Sequence, residues 1–342
     1  MFAALNSFQV GGKPTFVSDV FSISLYTGNG STQTITNGID LSTKGGLVWL
    51  KSRSVVGNNW TQDTILGINS VLYPNLTNAA GNPAGTAVTT FNTTGFSLGT
   101  NTNINNSGDT YTSWTFRKQA KFFDIVTWTG DGIANRLISH SLTSTPGFIV
   151  VKRTDTTSDW KAHDASTGFQ LCLNLTDAAN STASLAGGYP GSGTSTTFRL
   201  FAQSGSLDAV NASGGTYVAY LFAHNAGGFG ASGNDNIISC GSYTGNGTSQ
   251  TISLGYEPQW ILTKSTISIN GDWEILDTMR GFPVTGSSTA KRLEPNLSAA
   301  ESDISATAND IGPVATGFNV SGAGSRFNGN SVSYIYIAIK AS

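Results

Sequence analysis

Residues 26–35 read YTGNGSTQTI, and residues 243–252 read YTGNGTSQTI. A chain that carries nearly the same ten residues twice has either two ligand-cradling loops or the visible edge of a larger duplication. A third version decides between them. The stretch FFDIVTWTGDG places Trp128, Gly130, Asp131 and Gly132 where Tyr26, Gly28, Asn29 and Gly30 stand. Other landmarks then recur in the same order. An apolar run ends in lysine three times, as GGLVWLK to Lys51, PGFIVVK to Lys152 and PQWILTK to Lys264. A lone tryptophan before an aspartate follows: Trp60 and Asp63, Trp160 and Asp164, Trp273 and Asp277. Next come LYPNLTNAA, LCLNLTDAA and LEPNLSAAE, then Phe96, Phe198 and Phe318. Each copy closes on an aromatic strand through Tyr111, Tyr217 or Tyr334.

The chain therefore reads as an arm (residues 1–21) and three repeats, 22–118, 119–223 and 237–342. The stretch HNAGGFGASGNDN (224–236) reads as a Gly/Asn-rich linker. A cut there is expected to leave a soluble third repeat. The first two copies are joined only by KQAK (118–121), so they should pack closely.

A repeat of about 100 residues exceeds a solenoid or propeller unit and matches a small β-sandwich. Short runs rich in Thr, Val, Ile and aromatics, separated by Gly and Asn, point to strands. The reading is all-β: three tandem β-sandwiches, jelly-roll or concanavalin-like, with about six strands each. The run ending in lysine is apolar on both parities, as a central strand would be. Its lysine is expected to snorkel from the sheet edge into water. Gly-Asn-Gly and Gly-Asp-Gly are followed by a strand rather than the helix of a phosphate-binding fingerprint, so they read as tight hairpin turns. Asn-Leu-Thr can start a short helical turn.

Only 11% of the 342 residues are charged, against roughly 25% in ordinary globular chains. Long surface helices lack material. The net charge of −2 and the absence of a Lys/Arg cluster argue against a nucleic-acid partner. No apolar stretch reaches the ~18 residues of a membrane helix, and MFAALNSFQVGG has no basic leader region. Cys172 and Cys240 lack metal spacing and read as small buried hydrophobes. No cofactor, metal or catalytic group is expected. His140, His163 and His224 have no counterparts in the other copies, and the only glutamates, Glu257, Glu274, Glu294 and Glu301, lie in the third repeat.

The candidate binding residues are the recurring pairs Trp60/Asp63, Trp160/Asp164 and Trp273/Asp277. An outward tryptophan can stack on a sugar while a carboxylate binds its hydroxyls. The competing reading is a core tryptophan beside an aspartate that accepts backbone hydrogen bonds.

The elements YTGNG, GYEPQWILTK, GDWEILDTMRG, LEPNLSAAES and YIYIAI resemble a repeat of uncharacterised tailed-bacteriophage virion proteins, especially those of marine and cyanobacterial phages. The resemblance covers nearly all of the chain after residue 21. It implies a virion location, at the tail or baseplate as a fibre-like appendage, with attachment to host-surface polysaccharide. An architectural capsid decoration or head fibre is the alternative, and a polysaccharide depolymerase a minor one. The expected partners are other virion proteins, docked through the arm, and further copies of the chain, a trimer among the options.

Overall fold

Leu47 pairs with Phe116, Phe148 with Phe222, and Trp260 with Ile339. The same strand register thus recurs in all three copies. These pairs belong to a computed structural model that describes residues 13–202, 205–267, 271–282, 291–304 and 310–342. Each copy is a unit of two main antiparallel sheets, unit 3 adding a two-stranded one of Lys291–Arg292 and Ser302–Asp303, and the fold is all-β.

In unit 1 the inner sheet runs Phe21–Thr27, Thr110–Arg117, Gly46–Ser52, Trp60–Asp63. The outer sheet runs Gln33–Thr36, Gly95–Leu98, Val88–Asn92. Unit 3 repeats this order: Ile238–Thr244, Ser333–Lys340, Pro258–Ser265 and Trp273–Asp277 inside; Ser249–Ser253, Gly317–Ser321 and Asp310–Val314 outside. Unit 2 adds Gln170–Cys172 to the edge of its inner sheet, beyond Lys161–Asp164, Pro146–Arg153, Thr216–Ala223 and Phe123–Thr129. Its outer sheet is Tyr189–Gly191, Thr197–Phe201 and Leu137–Ser139.

The inner sheets are covered on both faces, which explains the apolar residues at both parities. In unit 1, Val48 and Leu50 point to the outer sheet and pack with Ile35, Phe96 and Leu98. Leu47 and Trp49 point the other way, into one core cluster shared by all three units. Phe116, Phe123, Phe222 and Trp260 meet there, with ring centroids 5.1–5.8 Å apart where they touch.

Three sequence expectations change here. Gly-Asn-Gly is not a hairpin turn, because the strands on either side lie in different sheets. The loop crosses between layers, wrapped around a fully buried asparagine. Asn105 donates to Ser31 O and Gly99 O and accepts from Gln33 Nε2. Asn211 and Asn328 make corresponding contacts with Asp131 and Ile133, and with Asn246 and Thr248. The first glycine is required for close approach: a Cβ on Gly28, Gly130 or Gly245 would stand 2.0–2.2 Å from a carbonyl oxygen. The second adopts a positive φ in each copy, +67°, +74° and +71°.

The Asn-Leu-Thr segment forms a turn rather than a helix start, closed in unit 1 by Leu76 N–H to Tyr73 O at 2.9 Å. The stretch 224–236 folds back on itself through a Phe229–Asp235 bridge. Phe229 is buried against Phe122. Since the third unit contributes Trp260, Trp273, Ile335 and Ile337 to the shared core, freeing it would expose that surface. The expected clean separation is therefore reversed. Of the arm, residues 1–12 lie outside the described residues. Thr15 O accepts from Gly230 N–H, and Val17 is buried, so this part packs on its own chain.

Candidate functional site

All six candidate residues are buried: Trp60 at 4% exposure, Asp63 1%, Trp160 1%, Asp164 0%, Trp273 1% and Asp277 0%. None presents a ring face or a carboxylate edge to a surface sugar, which corrects the stacking expectation. Five of the six sit where one unit meets the next.

Trp160 sends its indole N–H from unit 2 to Tyr73 O and Leu76 O of unit 1, at 3.0 and 3.1 Å. Trp273 sends its own from unit 3 to Cys172 O of unit 2 at 3.0 Å. Tyr73 and Cys172 occupy equivalent places in the LYPNL and LCLNL segments. The third contact of this kind is made by Asn59, whose amide donates to Glu294 O, Pro295 O and Leu297 O at 3.0–3.2 Å. The direction is 2 to 1, 3 to 2 and 1 to 3, so the units close a ring.

A second set of bonds repeats around the ring. Ala80 N–H reaches Thr154 O, Ala179 N–H reaches Thr266 O, and Glu301 N–H reaches Arg53 O, all at 2.8–2.9 Å. The aspartates form a third set. Asp63 caps the turn after its strand by accepting from Ile65 and Leu66 N–H, and it receives the Tyr220 hydroxyl of unit 2 at 2.8 Å. Asp277 receives the Trp114 indole of unit 1 at 2.8 Å. Asp164 binds Ser166 and Thr167, but the equivalent of Tyr220 and Trp114 is Ile337, and Asp164 Oδ1 has no partner among the described residues. Burial raises the pKa of Asp63 and Asp164 from the ordinary aspartate value, against the hydrogen bonds each accepts.

Trp60 is therefore not the counterpart of Trp160 and Trp273. In the paired strands, Leu47 and Asp63 correspond to Phe148 and Asp164, which places Asn59 opposite Lys51 and equivalent to Trp160. A one-residue shift turns a side chain to the other face of a sheet. Trp60 consequently lies in the outer core of unit 1, edge-on to Tyr73. The missing indole volume is supplied across the strand pair by Trp49, whose Nε1 donates to Asn59 Oδ1 at 3.0 Å. The spacing held the signal: Trp60 precedes its aspartate by three positions, the other two by four.

The three lysines do not snorkel. Lys51, Lys152 and Lys264 are buried to 0–1% exposure. Lys51 Nζ donates to Gly57 O, Ser298 O and Ala299 O, and Lys152 Nζ to Thr77 O and Arg153 O. Lys264 Nζ donates to Gly271 O and stands 5.9 Å from the Trp273 ring centroid. Burial pulls each ammonium down to about 8.

Charge gathers where units 1 and 3 meet. Arg53 holds Glu301 through two bonds of 2.9 and 3.0 Å. Arg280, itself buried, bonds Asp277 at 2.7 Å, reaches Glu301 at 3.4 Å and lies over the Trp114 ring. Glu274 is held by Arg326 and Arg292, and Glu294 by Arg292. Cys172 and Cys240 are free and buried. A groove of about 440 Å³ opens at the junction of units 2 and 3, lined among others by Lys121, Ser144, Ser166 and His224.

The three-unit body, with its repeated landmarks, is covered almost end to end by one family description, which matches residues 16–342. The chain belongs to the DUF7483 family. That family is described as a domain of unknown function. Its span takes in all three units, so the ring as a whole corresponds to one DUF7483 domain. Neither the curated proteins nor the solved structures yield a match.

Sequence reading missed three sets of residues in this DUF7483 chain. Asn105, Asn211 and Asn328 keep a constant distance from Tyr111, Tyr217 and Tyr334, and that spacing was the available signal. Asn59 was hidden by the tryptophan beside it. The arginine network has no repeat to announce it, because it belongs to one junction only.

Proposed function

We propose that this chain is a structural component of a phage virion, at the tail or baseplate, serving as a rigid three-lobed block that displays surfaces toward the host. One observation carries the reading: the recurring sequence landmarks are spent on joining units to one another. The aspartates, the seam tryptophans, the lysines and the Asn-Leu segments all meet neighbouring units or close their own turns. The resemblance of the repeat to virion proteins supports the location. The low charge and the Ser, Thr and Asn content suit polar contact with polysaccharide or with other virion subunits. Three of the four glutamates are held in ion pairs with arginines, an arrangement that favours structure over glycan cleavage.

The test is immunogold labelling of intact virions with an antibody to the purified chain. Label on the tail or baseplate is expected. Label on the capsid would favour a head decoration, and virions free of the protein would overturn the reading.

A further inference from the structure

Where the repeat departs from itself, unit 2 has a depression of about 360 Å³. Its floor includes His163, which is 3% exposed. The imidazole Nε2 stands 2.9 Å from Ser192 Oγ, and Nδ1 stands 2.7 Å from the Gln170 side-chain amide. Gln170 is nearly buried, and its Oε1 has no partner among the described residues. Tyr189 and Phe201 stack across neighbouring strands, centroids 5.2 Å apart, and remain half-exposed. The Phe201 ring lies against the backbone of Gly191, where an added Cβ would meet it at 2.3 Å. The ring is thereby fixed in place. Asn180 is exposed at the rim and accepts from Gln170 N–H at 2.9 Å.

Among the described residues, the counterparts of His163 in the other units are occupied by contacts of their own. In unit 1, Gln62 stands in place of His163 and spends its amide on Ile68 O and Val88 N–H. In unit 3, Leu276 takes that place, inside an apolar core with Phe282, Ile304 and Ile311. Among the described residues, His163 thus lines an opening where its counterparts Gln62 and Leu276 are enclosed.

None of the lining residues carries a formal charge at neutral pH, since burial holds the His163 pKa down to about 4. A small concave site with an aromatic wall and a few converging polar groups suits a neutral, hydroxyl-rich ligand of similar size. In such a site the aromatic faces would meet the C–H face of a sugar ring, and the Ser192 hydroxyl and the Asn180 amide its hydroxyls.

We infer that the unit 2 depression formed by Tyr189, Phe201, His163, Gln170, Asn180 and Ser192 is a binding subsite for a neutral saccharide. The inference rests on the reading of the chain as a surface-displaying virion protein, and it names the site through which attachment would act.

Saturation-transfer NMR on the full chain, with glucose, galactose, mannose and N-acetylglucosamine at millimolar concentration, tests it. Binding of at least one sugar is expected, with loss of tenfold or more in affinity in both Tyr189→Ala and Asn180→Ala. The His163 ring resonance should shift on sugar addition; with three histidines in the chain, His163→Gln assigns it. Asn180→Ala sets an alanine at a φ of +57° and removes the acceptor for Gln170 N–H, so the fold of both variants is checked by circular dichroism and the His163 resonance of the unaltered chain decides the matter if either does not fold. No binding of any of the four sugars overturns the inference, as does binding that both variants retain. A chain that sits on virions and binds no sugar leaves the structural reading intact. A chain that binds sugar yet is missing from virions leaves the subsite intact and removes the location.

Discussion

Two junctions of the ring do the same job with different chemistry. Between units 1 and 2, which are joined by a four-residue connection, the contact is mostly indole, phenol and backbone: Trp160 on Tyr73 and Leu76, Tyr220 on Asp63. Between units 1 and 3 no chain runs directly from one to the other. There the pivot is Asn59, and an ion network of Arg53, Glu301, Arg280 and Asp277 surrounds it. Directional bonds stand where the chain supplies no proximity. A junction held by shape needs the neighbour delivered to it; a junction of paired charges also penalises misalignment, because an unmatched buried charge is costly.

The comparison breaks first if the units do not depend on each other. Residues 237–342 expressed alone should lose soluble, folded protein almost completely, by size exclusion and near-ultraviolet circular dichroism. A folded monomer would show that the shared core contributes little. Next, Trp160→Ala should cost about 3–5 kcal/mol, the usual range for truncating a buried tryptophan, and Trp273→Ala the same, by urea unfolding. Arg280→Ala should cost about 3 kcal/mol by stranding Asp277 and weakening the hold on Glu301; a loss under about 1 kcal/mol would make the network ornamental. Asn59→Ala should cost about 1–3 kcal/mol, the penalty of carbonyls left without donors. Finding it as costly as Trp160→Ala would erase the difference between pivots.

A last effect concerns pH. The three buried lysines have folded pKa values of about 8, below 10.5 for the unperturbed group. The unfolded chain then binds more protons than the folded one between those values, so stability should rise with pH through that window. Buried tyrosines with raised pKa act in the opposite sense above about pH 10. Unfolding midpoints at about pH 7 and about pH 9.5 should therefore differ, with the higher pH more stable. At the acid end, His163 titrates at about 4 in the fold against 6.5 unperturbed. Its contribution is present above 6.5 and is lost as pH falls toward 4, and His163→Gln should flatten that slope.

Much of the fold was legible because strands and repeats leave local marks. The both-parity run to Lys51, Lys152 and Lys264 announced a strand buried on two faces, and the closing tyrosines fixed each repeat's end. What covers the second face was not legible. A covering layer of the same unit and a neighbouring unit both ask for the same Leu, Phe or Trp at positions 47, 148 and 260, so the ring left no separate sign. The lysines misled for a related reason: a long cationic side chain at a strand end ordinarily finds water, and here backbone carbonyls, of the neighbour for Lys51 and Lys152 and of its own unit for Lys264, make burial tolerable. Trp60 misled because residue type was read without strand parity. The unit 2 depression was invisible since His163 lies far in sequence from Tyr189 and Ser192, and it was noticed only as an unrepeated histidine.

The four-residue join at 118–121 and the folded loop at 224–236 also bear on kinetics. Free subunits that associate give up roughly 4–15 kcal/mol of translational and rotational freedom. Within one chain the first junction is a local event and the second follows at a high effective concentration. The third then closes between two partners already held. A ring assembled this way does not dissociate on dilution, and its three lobes, one of them bearing the open depression, keep a fixed stoichiometry wherever the chain is placed.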